Sequence, residues 1–132
     1  MQNIYNQIKE FVEAPCTSRF GRRSHLSDER IALYMRLTSR SVSGEYVETI
    51  DIATVDVNLD QQGKGVFSKV LGYIEKLADK HGRTVFVESI VNRDLTRSLQ
   101  KRGYVLSGDE LAPNASRAPQ PYLGKESSLE CN

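Results

Sequence analysis

Apolar side chains recur along this chain with two different periods, and the switches between the periods divide it into elements. Ile4, Ile8, Phe11 and Val12 fall at helical spacing and Pro15 follows, which predicts a helix over residues 3–13. Residues 16–28 show no period and carry Arg19, Arg22, Arg23 and His25, so a loop with at most one helical turn is expected there. Ile31, Leu33, Met35 and Leu37 then alternate, the mark of a strand with one buried face. Residues 39–44 are turn material, and residues 45–57, rich in Val, Ile and Thr, form a second extended run, giving a hairpin. Val66, Val70, Ile74 and Leu77 return to the helical stripe until His81-Gly82 ends it. Residues 84–91 read as a strand. Asn92 or Asp94 caps a short helix that carries Leu95 and Leu99 and stops at Gly103, and residues 104–106 make a further strand. The tail from 107 to 132 holds three of the four prolines and is expected to be irregular, with Tyr122-Leu123 adding an edge strand.

At 132 residues, 39% of them hydrophobic and 27% charged, residues 1–132 are expected to form one globular domain. No apolar run is long enough to span a membrane and the N-terminus has no signal-peptide pattern, so the expectation is a cytoplasmic protein without a membrane partner. Cys16 and Cys131 lie far apart with no metal-ligand spacing around them, which favours free thiols and no metal. The net charge of +1 is unevenly spread. Residues 45–60 carry no basic and five acidic groups, whereas residues 61–104 carry nine basic and four acidic ones.

That basic segment opens on the most distinctive stretch of the chain. Val55-Asp56-Val57 ends a strand, Gln62-Gly63-Lys64-Gly65 is a glycine-bearing loop, and Val66-Phe67-Ser68 begins a helix. The first N–H groups of a helix have no partner inside it and sit at the positive end of its dipole, so this order builds an anion cradle. A dinucleotide-binding turn is the competing reading, with Glu88 as the ribose acid. Against it, the chain is one residue short of that pattern and five residues separate the strand from Gly63.

The order of elements resembles the GNAT superfamily of acyl-CoA-dependent N-acyltransferases. Gln62 and Gly65 match the family's phosphate motif of Gln or Arg, two residues, Gly, one residue, then Gly or Ala; Phe67 stands at its last position. A second block, an Asn followed eleven and twelve residues later by a Gly-aromatic pair, is matched by Asn92, Gly103 and Tyr104. The resemblance covers residues 30–106 and implies an α+β (α/β) fold: a mixed, mostly antiparallel sheet with two splayed parallel strands and flanking helices. The family's first strand has no counterpart in the pattern, so a shortened member is expected, similar in size to compact bacteriophage members.

The same resemblance implies acetyl-CoA as cofactor and a primary amine, on a small molecule or a protein, as acceptor. Its pyrophosphate is expected on the backbone from Gln62 through Gly63, Lys64, Gly65, Val66 and Phe67 to Ser68. Its pantetheine arm is expected beside Val55, Asp56 and Val57, with Asn92 capping the helix or holding the arm. Lys64, Lys69, Arg93 and Arg97 are the candidate phosphate cations. Strict alternation sets Asp51 on the face of Ala53, Val55 and Val57, where it is the first candidate general base, with Glu48 and Glu88 as rivals. The family's general-acid Tyr position is Leu99, with Tyr73, Tyr104 and Tyr122 as substitutes. The alternative is a GNAT-fold protein of weak or no catalytic power that binds a protein or nucleic acid through the six arginines of residues 19–40. Pairing of two copies through an edge strand is a further implication of the family.

Overall fold

The computed structural model describes residues 3–15, 21–88, 90 and 93–121. Along the chain run α1 (Ile4–Glu13), β1 (Arg22–Ser27), β2 (Ile31–Val42), β3 (Glu45–Val57), a single 3-10 turn (Leu59–Gln61), α2 (Val66–His81), β4 (Thr84–Val87), α3 (Arg93–Lys101), β5 (Val105–Ser107) and β6 (Asn114–Arg117). The strands form one sheet in the order β1-β2-β3-β4-β6-β5, with β3 and β4 parallel and every other pair antiparallel.

Register assigns the two faces. Ile31, Leu33 and Leu37 of β2 stand opposite Val57, Val55 and Ile50 of β3, and Ile50 and Ile52 stand beside Val85 and Val87 of β4. This apolar face is covered by Ile4, Ile8 and Val12 of α1 and by Val70, Leu71, Ile74 and Leu77 of α2, all buried in one core. Burying such side chains is the main favourable term in folding, at about 1.5–3 kcal/mol for each large one. Asp28, buried between β1 and β2, ties α1 to the sheet: its carboxylate accepts the Ile4 N–H at 3.0 Å and those of Arg30 and Ile31 at 2.8 and 3.2 Å. At the other end Glu13 accepts from Lys80 at 3.2 Å and pairs with His81 at 2.8 Å, joining the C-termini of α1 and α2.

Four expectations are corrected. Residues 22–27, expected in a loop, are β1, which follows α1; it lies on the sheet edge with Leu26 alone buried, and an edge strand of Arg, Ser and His gives no apolar period. Residues 39–42 continue β2, and the turn is only Ser43-Gly44, whose positive φ of 50° and 86° suits a two-residue hairpin turn. The tail supplies an interior strand: β6 lies between β4 and β5 with Ala115 and Ser116 buried. Its Asn-Ala-Ser-Arg sequence has no β-forming residue, so pairing on both sides, not propensity, fixes it. Finally, the alternation along β3 is broken. Tyr34 faces Thr54 while Met35 faces Ile52, so Ala53 is an extra residue in a β-bulge. A one-residue slip moves every later side chain to the other face, so Asp51 is on the side of Thr54 and Asp56, opposite Val55 and Val57. Tyr122-Leu123, Cys16 and Cys131 lie outside the described residues.

Candidate active site

Parallel strands β3 and β4 pair only from Thr49–Thr84 to Ile52–Val87. One more bond joins them, from the Glu88 N–H to the Ile52 carbonyl at 3.1 Å, and the chain then turns away so that Ile90 donates to Pro113 at 2.8 Å. β3 continues to Val57 paired with β2, and among the described residues its other edge has no strand beyond the Ala53 bulge. This fork opens a cleft of about 690 Å³, within the range of small-molecule sites.

The far wall of the cleft is the loop into α2. The Gln62 side chain donates to the Val57 carbonyl at 2.9 Å and closes the loop onto the end of β3. Gly63 and Gly65 follow at φ 80° and 76°, a left-handed conformation that side-chain-bearing residues adopt only under strain, and a Cβ at either would meet nothing within 4 Å. The space above them is open to a ligand. Gly65 caps α2 without any side-chain hydrogen bond, so the first turn presents its N–H groups and the positive end of the helix dipole to that space.

Of the expected cofactor residues, Val55, Asp56 and Val57, then Gln62, Gly63 and Gly65, then Val66, Phe67 and Ser68 all line the cleft. Phe67 also packs against the core, so the cradle stays open despite its size. Lys64 is exposed and does not line the cleft; Lys69 behaves likewise. Arg97 is solvent-exposed and reaches Asp94, at 3.7 Å. Asn92 and the Arg93 side chain lie outside the described parts of the chain.

The three candidate carboxylates separate. Glu48 is exposed on β3 before the parallel pairing begins and is not a cleft residue. Asp51 is completely buried and accepts from Arg40 Nη2 at 2.7 Å and Thr49 Oγ1 at 2.6 Å, with Arg36 Nε 3.5 Å away. It does not line the cleft. Glu88 does, at the fork itself, and its two oxygens are held by Arg36 and Arg40. Arg40 in turn lies over the Phe86 ring, 4.1 Å from its centre. Two arginines and two acids thus form one charge-balanced group, with Asp51 at its base and Glu88 at its cleft end.

Leu99 is fully buried in the core. Tyr73 sets its ring edgewise against Tyr5 at 5.3 Å, and Tyr104 donates to Glu75 at 2.9 Å. Burial first, then the Glu75 charge and that hydrogen bond, push the Tyr104 phenol far above its ordinary range, so it remains a protonated donor. Neither tyrosine lines the cleft, and Tyr122 lies outside the described residues.

Among the described residues the arginine-rich stretch does not form one surface, and Arg19 lies outside them. Arg22 donates to the carbonyls of Ala14 and Pro15, Arg30 pairs with Asp28, and Arg36 and Arg40 are committed to Asp51 and Glu88. Sequence reasoning passed over Arg102, whose guanidinium touches Ser68 at the rim of the cradle, because nothing near it in sequence signals that contact. It likewise passed over Ile90 and Leu95 in the cleft wall.

No protein-family model matches the chain, and no curated protein matches it. Solved structures do. The toxin AtaT, as its Y144F mutant bound to the C-terminus of the antitoxin AtaR and acetyl-CoA, superposes with a TM-score of 0.53 at 11% identity over 67% of this chain. The KacTA–DNA complex superposes with a TM-score of 0.55 at 12% identity, covering 86% of this chain and 79% of the other. The chain spans 58% of the length of AtaT. The comparisons lend nothing to the expected likeness to bacteriophage members. AtaT and KacT are GNAT-fold proteins, and the superposition on both shows that the fold of this chain is that of the GNAT superfamily.

Proposed function

We propose that the protein is an acyl-CoA-dependent N-acyltransferase that moves an acetyl group from acetyl-CoA to a primary amine. The observation that carries this reading is the cleft at the β3–β4 fork, closed at one end by the uncapped first turn of α2 over Gly63 and Gly65. The donors of that turn fit a diphosphate, and the edge of β3 that no described strand pairs fits an amide-bearing arm. AtaT, of the same fold, has been solved bound to acetyl-CoA, which supports the choice of cofactor.

When bound, acetyl-CoA supplies an activated acyl thioester. The protein's part is to orient that arm and to receive a proton from the incoming amine. A primary amine has a pKa near ~10 and attacks only when neutral. Glu88, the carboxylate at the fork, is our candidate to accept that proton directly or through water, with Asp51 buried behind it as counter-ion to Arg36 and Arg40. Backbone N–H groups of β3 near the bulge are candidates to polarise the thioester carbonyl. With Leu99 in the core, solvent protonates the departing thiolate, which is tolerable because a thiol pKa lies near ~8.5.

The second reading keeps the fold and drops the turnover: a protein that engages a protein or nucleic acid. Buried Leu99 and the tightly paired carboxylates favour it, and the neighbours were solved with antitoxin and with DNA. Calorimetric titration with acetyl-CoA, CoA and, as control, NAD tests the first reading. Micromolar binding of both CoA species supports it, and thiol release dependent on an added amine then identifies the acceptor class. Absence of CoA binding refutes it.

A further inference from the structure

We propose that Arg102 is a second anion-binding element of the cleft, taking a phosphate group of CoA on the two outer N–H groups of its guanidinium. The proposal rests on the acyl-CoA reading above and adds a residue outside the glycine loop to it.

Arg102 follows α3, where its own N–H returns to the carbonyls of Ser98 and Leu99, and its side chain lies along α2 across Ser68, Gly72 and Glu75. These are positions i, i+4 and i+7 of one helical stripe. The approach is close: a Cβ at Gly72 would stand in ordinary van der Waals contact, 3.5 Å from Arg102 Nη2.

A guanidinium has five N–H donors. Nε donates to Glu75 Oε2 at 3.1 Å and Nη2 to Glu75 Oε1 at 2.8 Å, so one flank of the fork is occupied. Nη1 donates to the Ser68 hydroxyl at 3.3 Å. Among the described residues nothing takes the other donor on each Nη, on a side chain that is 27% exposed. Glu75 is clamped from its other side by the Tyr104 phenol, so the plane of the guanidinium is fixed before any ligand arrives. Much of the ordering cost of a bidentate phosphate contact is thereby already met.

The location fits the same use. Arg102 itself stands outside the cleft wall, but Ser68, which it hydrogen-bonds, belongs to that wall and to the first turn of α2. Among the described residues, the basic side chains that hydrogen-bond a cleft-lining side chain are Arg36 and Arg40, through Glu88, and Arg102, through Ser68. The first two stand at the fork and are balanced by Asp51 and Glu88. Arg102 stands at the glycine-loop end, where the phosphates would lie.

The test is titration of wild type, Arg102→Met and Arg102→Lys with CoA, 3′-dephospho-CoA and acetyl-pantetheine. Arg102→Lys keeps a cation on Glu75 and so preserves the fold while removing the planar pair of donors. Both variants are expected to bind CoA about 10- to 100-fold more weakly, as for loss of charge-assisted hydrogen bonds, and to bind acetyl-pantetheine like wild type. A loss seen with CoA alone assigns the contact to the 3′-phosphate; an equal loss with dephospho-CoA assigns it to the diphosphate. Wild-type CoA affinity in both variants overturns the proposal and leaves the acyl-CoA reading intact. Failure of the wild type to bind CoA overturns that reading and this one with it.

Discussion

Replacing Asp51 by Asn tests whether this side chain is an electrostatic anchor. The carboxylate has no exposed surface and lies within 2.7 Å of Arg40 Nη2, 2.6 Å of Thr49 Oγ1 and 3.5 Å of Arg36 Nε. Removing one partner of a buried ion pair costs about 3–5 kcal/mol, chiefly because the opposite charge is left uncompensated. Two features reduce that figure. The arginine side chains are about 30% exposed, so water screens them, and Asn keeps one acceptor oxygen for the Thr49 hydroxyl. The expected loss is therefore about 2–3 kcal/mol, which for a chain of this size lowers the melting temperature by about 8–12 °C. Scanning calorimetry at pH 7 measures it. Arg40→Met should be costly alone, and the double variant should cost at least about 1 kcal/mol less than the sum, since the two groups serve each other. A shift below 3 °C for Asp51→Asn, or strict additivity, would refute the anchor role and return Asp51 to consideration as a base.

Gly65→Ala forces a Cβ onto a residue at φ 76°, for an expected cost of about 1–2 kcal/mol in urea unfolding, and the added methyl group in the cradle should weaken CoA binding in a titration. Leu99→Tyr should cost about 1–3 kcal/mol by overpacking the core and should not raise acyl transfer, because position 99 faces the core and does not line the cleft; a gain in rate would show that a phenol there reaches the thiolate. Glu13 carries the clearest pH signature. Although burial opposes ionisation, its bonds to His81, Lys80 and Lys9 hold its pKa at about 2 against an ordinary 4.5. A depressed folded-state pKa gives stability that is fully present above pH 4.5 and is lost as pH falls toward 2. The gap in unfolding free energy between wild type and Glu13→Gln should therefore hold from pH 7 to 5 and close toward pH 2; a gap unchanged at pH 3 would contradict the pairing.

Where burial writes a period into the sequence, the fold was readable. α1, α2 and the β2–β3 hairpin each bury one stripe or one face, and the glycine loop falls between a legible strand and a legible helix. β1 and β6 were not readable for opposite reasons: β1 lies at the edge and buries only Leu26, and β6 holds its interior place by backbone pairing with residues that have no strand preference. The site divides the same way. Its backbone cradle is a local feature and could be named from sequence, whereas the partners of its charged groups are set by register. A single bulge at Ala53 was enough to put Asp51 on the face opposite to the one alternation gave it. Arg102 reaches Ser68 across 34 positions of chain, and no periodicity reports that contact.

The interior place of β6 has a consequence for how the chain is made. Until residues 114–117 have left the ribosome, the side of β4 that they later occupy offers Thr84–Val87, a fully buried run in the finished protein, as an open row of backbone donors and acceptors. The hairpin, the fork and α2 are all synthesised earlier, so the place that β6 takes beside β4 can be filled only after them, and Arg117 pairs with Asp79 at 2.9 Å. A nascent chain halted before residue 114 would carry that apolar edge uncovered, the form of backbone most prone to pair with another chain. Closure of the β4 side of the sheet therefore depends on a polypeptide translated past Arg117.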